Sequence, residues 1–226
     1  MSGVLNRRAV ASTLVVLTLV STIPSTVQAE GGKTAPATKV FSFLEAFLKL
    51  PPAERSRIKL SYALLREGKR AAGVKATLIE TNGVRTPLPI DSEGRFERTP
   101  TLAQLQAKAQ ISFEVPANTK LGSTMLLDPV LKPAVEYEAR ELVATIDGSN
   151  RAIRKAAGAM AMMAPQMDGL KFLAADSGTA IFPNGSSKPL PVNAGAVVFE
   201  PGQFKGASRV RLAKVPSVVD YYVAKK

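Results

Sequence analysis

The chain contains no cysteine, no histidine and no tryptophan, and aromatic residues make up only 6% of it. Each absence removes a class of chemistry. Without His or Cys there is no Ser-His-Asp triad, no Cys-His nucleophile pair and no ordinary zinc site, so most hydrolase mechanisms are excluded. With no Trp and few other aromatics, the stacking platforms that grip single-stranded nucleic acid are missing, and no nucleic-acid partner is expected. No disulfide can form, so the fold must be held by its core alone. Long apolar runs are also scarce. The longest, Ala9 to Ile23, falls short of the roughly 20 residues of a spanning helix.

That run reads as part of an export address. Arg7 and Arg8 precede it, and Val27-Gln28-Ala29 has the small-x-small form of a signal-peptidase site. Residues 1–29 are therefore expected to be a signal peptide cleaved after Ala29, placing a soluble mature chain in the periplasm of a Gram-negative bacterium. No Cys follows the site, which excludes a lipoprotein anchor, and Asn6 and Ala9-Val10 around the arginine pair fit twin-arginine export poorly. Acidic residues are few as well: 18 against 30 basic ones, for a net charge of +12. Cleavage removes Arg7 and Arg8 and no carboxylate, leaving +10. Such a charge draws a protein towards anionic envelope components, namely lipopolysaccharide, lipid headgroups or peptidoglycan, with peripheral membrane contact. Its plainer use is solubility.

What the sequence does contain is a repeat. Asn82-Gly83-Val84-Arg85-Thr86-Pro87-Leu88-Pro89-Ile90-Asp91 is answered by Asn184-Gly185-Ser186-Ser187-Lys188-Pro189-Leu190-Pro191-Val192-Asn193. Both copies continue to a Gly (Gly94, Gly195), a Pro (Pro100, Pro201) and a Val-Pro pair (Val115-Pro116, Val215-Pro216). Self-similarity of this kind predicts two copies of one supersecondary unit. The expected organisation is a flexible tether over 30–38, a first module over 39–132, and a long helix plus second module over 133–226.

Local patterns fill in the modules. Val40, Phe43, Leu44, Phe47 and Leu48 fall on one helical face, which Pro51-Pro52 ends. Ile58, Leu60, Tyr62 and Leu64 alternate with Arg57, Lys59, Ser61 and Ala63 as in a half-buried strand. The Asn-Gly pairs predict hairpin turns, on the ground that both residues tolerate positive φ. Pro87 and Pro89 predict an edge strand. Leu142, Ile146, Ile153, Ala157, Met160 and Ala164 predict one long helix within 135–164, with a break or kink at Gly148-Ser149-Asn150. The expected fold class is α+β, with two similar modules that each lay a helix on an antiparallel sheet; the alternative is two small β-sandwiches joined by a helix.

The run Leu50-Pro51-Pro52-Ala53-Glu54-Arg55 before a strand, and Ala164-Pro165-Gln166-Met167-Asp168-Gly169-Leu170-Lys171-Phe172 before the second copy, resemble uncharacterised secreted proteins of proteobacteria grouped as a domain of unknown function. The resemblance spans nearly the whole mature chain. It implies a bacterial periplasm and carries no activity.

Short matches to catalytic patterns have simpler explanations. Ser56-Arg57-Ile58-Lys59 fits S-x-x-K, but that chemistry needs both side chains on one helical face, whereas Lys59 lies in a strand pattern. Asp91 and Glu93 beside Gly94 read as a turn, and the equivalent Asn193-Ala194-Gly195 has no carboxylate. Asn184-Gly185-Ser186, formally a glycosylation sequon, is first a turn. Met160, Met162, Met163 and Met167 form the one constellation with chemical promise, as a flexible apolar surface for a ligand or partner or, less readily, a Cu(I) site. The competing expectation is ordinary core packing, with Met160 and Met163 mostly buried. No cofactor and no metal are implied. The functional expectation is a non-enzymatic periplasmic binding or accessory protein for an anionic or apolar envelope component. A carboxylate-based glycan-processing enzyme is the alternative.

Overall fold

A computed structural model describes residues 32–116 and 118–224. The expected signal peptide and residues 30–31 of the expected tether lie outside the described residues. The first half runs β1 (Lys33–Pro36), α1 (Ala37–Val40), α2 (Leu44–Lys49), β2 (Ile58–Arg66), β3 (Lys69–Arg70), β4 (Ala76–Ile79), β5 (Arg85–Leu88), α3 (Leu102–Gln106), β6 (Gln110–Phe113) and β7 (Leu121–Pro129). The second runs β8 (Glu136–Glu138), α4 (Ala139–Ala157), β9 (Gly169–Leu173), β10 (Gly178–Ile181), β11 (Ser187–Pro189), β12 (Val192–Asn193), β13 (Ala196–Phe199), β14 (Arg209–Leu212) and β15 (Val218–Tyr222). The fold is α+β and mostly sheet, with antiparallel pairing throughout. The order β1-β6-β4-β5 in the first half has the same form as β8-β14-β10-β11 in the second, and the β2–β7 pair corresponds to β9–β15.

Each half contains two sheets rather than the one expected. Residues of both sheets share a core in the first half, where Tyr62 and Leu64 from one meet Leu78, Ile111 and Phe113 from the other. The second core gathers Leu170, Phe172, Val197 and Val210 under α4, and it also takes Phe47 and Ile58 from the first half. Leu48 and Leu60 pack against both cores, so the two halves are welded through apolar side chains.

Both Asn-Gly pairs sit at hairpin turns of the same geometry. Glu80 and Val84 close the first through a backbone bond of 2.9 Å, as Phe182 and Ser186 close the second at 2.9 Å. Only the glycines take positive φ, 86° at Gly83 and 82° at Gly185. The asparagines contribute a side chain instead: Asn82 Oδ1 accepts the Val84 N–H and Asn184 Oδ1 accepts the Ser186 N–H, both at 3.0 Å. The hairpin turns expected at both Asn-Gly pairs are therefore present, with the tolerance for positive φ used at the glycines. Pro87 and Pro189 lie on the edge strands β5 and β11, where a missing N–H costs no ladder bond.

Three local expectations are overturned by tertiary contacts. Lys33–Pro36 is not a tether but β1, because the free edge of β6 pairs with it from Lys33↔Phe113 to Pro36↔Gln110. The helix over 40–50 is broken at Phe41–Phe43, where Phe43 adopts a left-handed φ of 64°. The break rotates the apolar face, so Phe41 is buried edge-on against Tyr62 and Phe96 while Phe43 is 47% exposed. The helix predicted within 135–164 is β8, then α4, then a 3-10 turn over Gly158–Met163. Gly148-Ser149-Asn150 does not break it. All three are buried, Gly148 lying close against the Arg57 side chain and Asn150 pairing with the Met167 backbone.

Candidate functional site

An apolar cavity of about 330 Å³ opens where the two halves meet. Its first wall is sheet. In the β2–β7 ladder, Leu60 lies opposite Leu127 and Tyr62 opposite Met125. Period-two alternation therefore sends Ile58, Leu60, Met125 and Leu127 to one face, where they line the cavity. Phe43 and Phe47 close a second side from α2 and the residue before it. The third wall is the end of α4, where Ile153, Ala156 and Ala157 follow the i, i+3, i+4 rule, with Met160 added from the turn beyond the helix. Two alanines there leave room that larger residues would fill. Met163, Ala164 and Pro165 complete the rim.

No lining residue carries a charged, amide or hydroxyl side chain. A cavity of this size lies at the small end of ligand pockets, which run roughly 300–1,000 Å³. Arg55 stands against one lining residue, its guanidinium 5.9 Å from the centre of the Phe47 ring while its Nε donates to the Leu50 carbonyl at 3.2 Å. Lys155 ties the α4 flank to Glu54 at 2.6 Å.

The four methionines do not act as one group. Met160 and Met163 both line the cavity mouth, 51% and 86% exposed, and Met162 is 99% exposed beside them. Met167 is buried in the second core, where the Asn150 side chain accepts its N–H at 2.8 Å and donates to its carbonyl at 2.9 Å. Core packing thus describes Met167 alone. The expectation that Met160 and Met163 would be buried fails because α4 ends at Gly158, with φ 54°, and the turn beyond it carries them to the surface.

Carboxylates gather elsewhere. Asp128, Glu136, Glu138 and Glu141 line an open cleft with Lys59 and Lys132. Each of the first two is already held: Ser61 Oγ donates to Asp128 at 2.6 Å, and Arg211 and Arg209 donate to Glu136 at 2.8 and 3.0 Å. The bonds from Arg211 and Arg209 hold the Glu136 carboxyl below its usual range, opposite to the shift a general acid needs. Asp91 is a turn residue, its Oδ1 accepting the N–H groups of Glu93 at 2.9 Å and Arg95 at 2.8 Å. Ser56 Oγ donates to the Ala53 carbonyl, and Lys59 sits in β2 opposite Asp128, so the S-x-x-K match brings no catalytic pair together. Among the described residues, no group of three or more Asp or Glu side chains is arranged to hold a metal ion.

No known protein family, curated protein or solved structure matches the chain. The cavity itself is the argument for function.

Proposed function

We propose that the protein is a non-enzymatic binding protein of the bacterial envelope, built from two copies of one unit, that holds an apolar ligand in the cavity at their junction. The observation that carries this reading is a ligand-sized cavity lined entirely by apolar side chains. Two further features support it. Phe43 keeps a left-handed backbone at the mouth, a conformation that costs of order 1–3 kcal/mol in a bulky residue and recurs at functional sites. Met160 and Met163 supply adaptable thioether walls, the side chains favoured where a surface must fit more than one shape. Matching strand orders in the two halves support the duplicated unit. The export reading rests on Arg7, Arg8 and the Val27-Gln28-Ala29 site, and intact-mass measurement of the mature chain is expected to place its start at Glu30.

Titration with the neutral dye N-phenyl-1-naphthylamine tests the cavity. Saturable, stoichiometric enhancement is expected. Ala156→Phe, which fills the space beside Ile153 and Met160, is expected to weaken it by roughly tenfold or more. Absence of saturable binding would return the reading to anionic envelope surfaces.

The glycan-processing alternative has one observation behind it, the four carboxylates of the Asp128–Glu141 cleft. Glu136→Gln separates the readings: an enzyme working there loses peptidoglycan or oligosaccharide cleavage, whereas the binding protein keeps its dye affinity.

A further inference from the structure

Beyond the cavity, the segment from Gly158 to Pro165 reads Gly-Ala-Met-Ala-Met-Met-Ala-Pro, with no charged, amide or hydroxyl side chain. It nevertheless faces water. Met162 is 99% exposed, Met163 86% and Met160 51%, and Phe43, which lines the same cavity as Met160 and Met163, is 47% exposed. A contiguous apolar surface of this kind marks an interaction site. Immediately before it, Arg151, Arg154 and Lys155 stand exposed on the last turns of α4. Lys155 shares its charge with Glu54, while Arg151 and Arg154 have no ion-pair partner among the described residues.

We infer that Gly158–Pro165 is a membrane-docking tip whose partner is an anionic lipid bilayer surface. The methionines enter the boundary between headgroups and acyl chains, while the arginines above them meet lipid phosphates, the usual division of labour in a peripheral contact. Charge decides the occupant. A second copy of this chain would cover the methionines but would set Arg151 and Arg154 against their own counterparts, and a neutral apolar partner would leave them unanswered. The protein's excess of basic residues favours an anionic surface in the same way. Among the described residues no helix is long and apolar enough to cross a membrane, so the contact is by the tip. Met160 and Met163 belong to both tip and cavity rim, which places the cavity mouth at the bilayer surface.

Because the chain has no Trp, Met162→Trp installs a single reporter at a side chain that touches almost nothing. Vesicles of phosphatidylglycerol and phosphatidylcholine are expected to shift its emission to the blue, and brominated acyl chains to quench it. Raising salt is expected to weaken the binding. The variant Met162→Asp is expected to lose roughly tenfold or more in vesicle affinity with an unchanged melting temperature, since that side chain is exposed and lies outside the cavity lining. Three results would overturn the inference: no spectral shift with anionic vesicles, equal binding to purely phosphatidylcholine vesicles, or a blue-shifted dimer before lipid is added. Neutral-dye titration of the aspartate variant separates this from the cavity reading, because dye uptake without vesicle binding is expected there.

Discussion

The Tyr221 hydroxyl meets the Ser149 hydroxyl at 2.6 Å, and both lie near the Arg57 carbonyl, at 3.3 and 3.4 Å. β15, the middle of α4 and the start of β2 are thereby fastened at one buried point. The Arg57 side chain extends the fastening by donating to Thr145 Oγ1 at 3.1 Å. These contacts adjoin the cavity, since Ile58, the residue after Arg57, and Ile153, one turn on from Ser149, both line it.

Tyr221→Phe is expected to destabilise the protein by about 1–3 kcal/mol, the cost of leaving buried polar groups without a partner. Ser149→Ala should cost a similar amount. In urea unfolding, the double variant is expected to lose less than the sum of the two, because they share one hydrogen bond.

Burial pushes the Tyr221 phenol from 10 up to about 12, and burial raises Tyr62 in the same direction. The folded state therefore holds these protons more tightly than the unfolded one. Their contribution is fully present below pH 10 and is lost as pH climbs through the interval towards 12. Thermal unfolding as a function of pH is expected to show this alkaline fall, and Tyr221→Phe should make it shallower.

Gly94 and Gly195 occupy matching places in the repeat, with φ of 78° and 79°. A Cβ at Gly94 would stand 3.0 Å from the Ala71 nitrogen, whereas one at Gly195 would meet nothing within 4 Å. Gly195→Ala is expected to cost about 1 kcal/mol from backbone strain alone. Gly94→Ala should cost distinctly more, which chemical denaturation of the two variants will show.

The methionines predict a contrast. Met167→Ala should cost about 2–5 kcal/mol through the space it leaves in the core. Met162→Ala should stay within about 0.5 kcal/mol of the native chain. Equal effects in denaturant titrations would refute the placement of these two side chains.

Chain punctuation made much of the fold legible. Asn-Gly at 82–83 and 184–185, Gly94 and Gly195, and the edge prolines act through φ restriction and a side-chain bond two residues away, so their meaning survives without tertiary context. Strand alternation from Ile58 to Leu64 was equally readable, because a sheet with one buried face imposes period two. Gly148-Ser149-Asn150 was misread for the opposite reason. Their helix-weakening character is local, but the partners that offset it, Tyr221, Arg57 and Met167, are remote in sequence.

The amino-acid sequence by itself determined the hairpins, the repeat, the charge excess and the exclusion of His- and Cys-based chemistry, since each follows from residue type or from neighbours a few positions apart. Tertiary structure alone decided the cavity and the exposure of the methionines. The walls come from Phe43–Leu60, Met125–Leu127 and Ile153–Pro165, and whether three such surfaces close on each other or leave a gap depends on how α4 crosses the β2–β7 ladder. A turn that begins at Gly158 rather than continuing the helix then sets Met160, Met162 and Met163 in water, where packing would otherwise have hidden them.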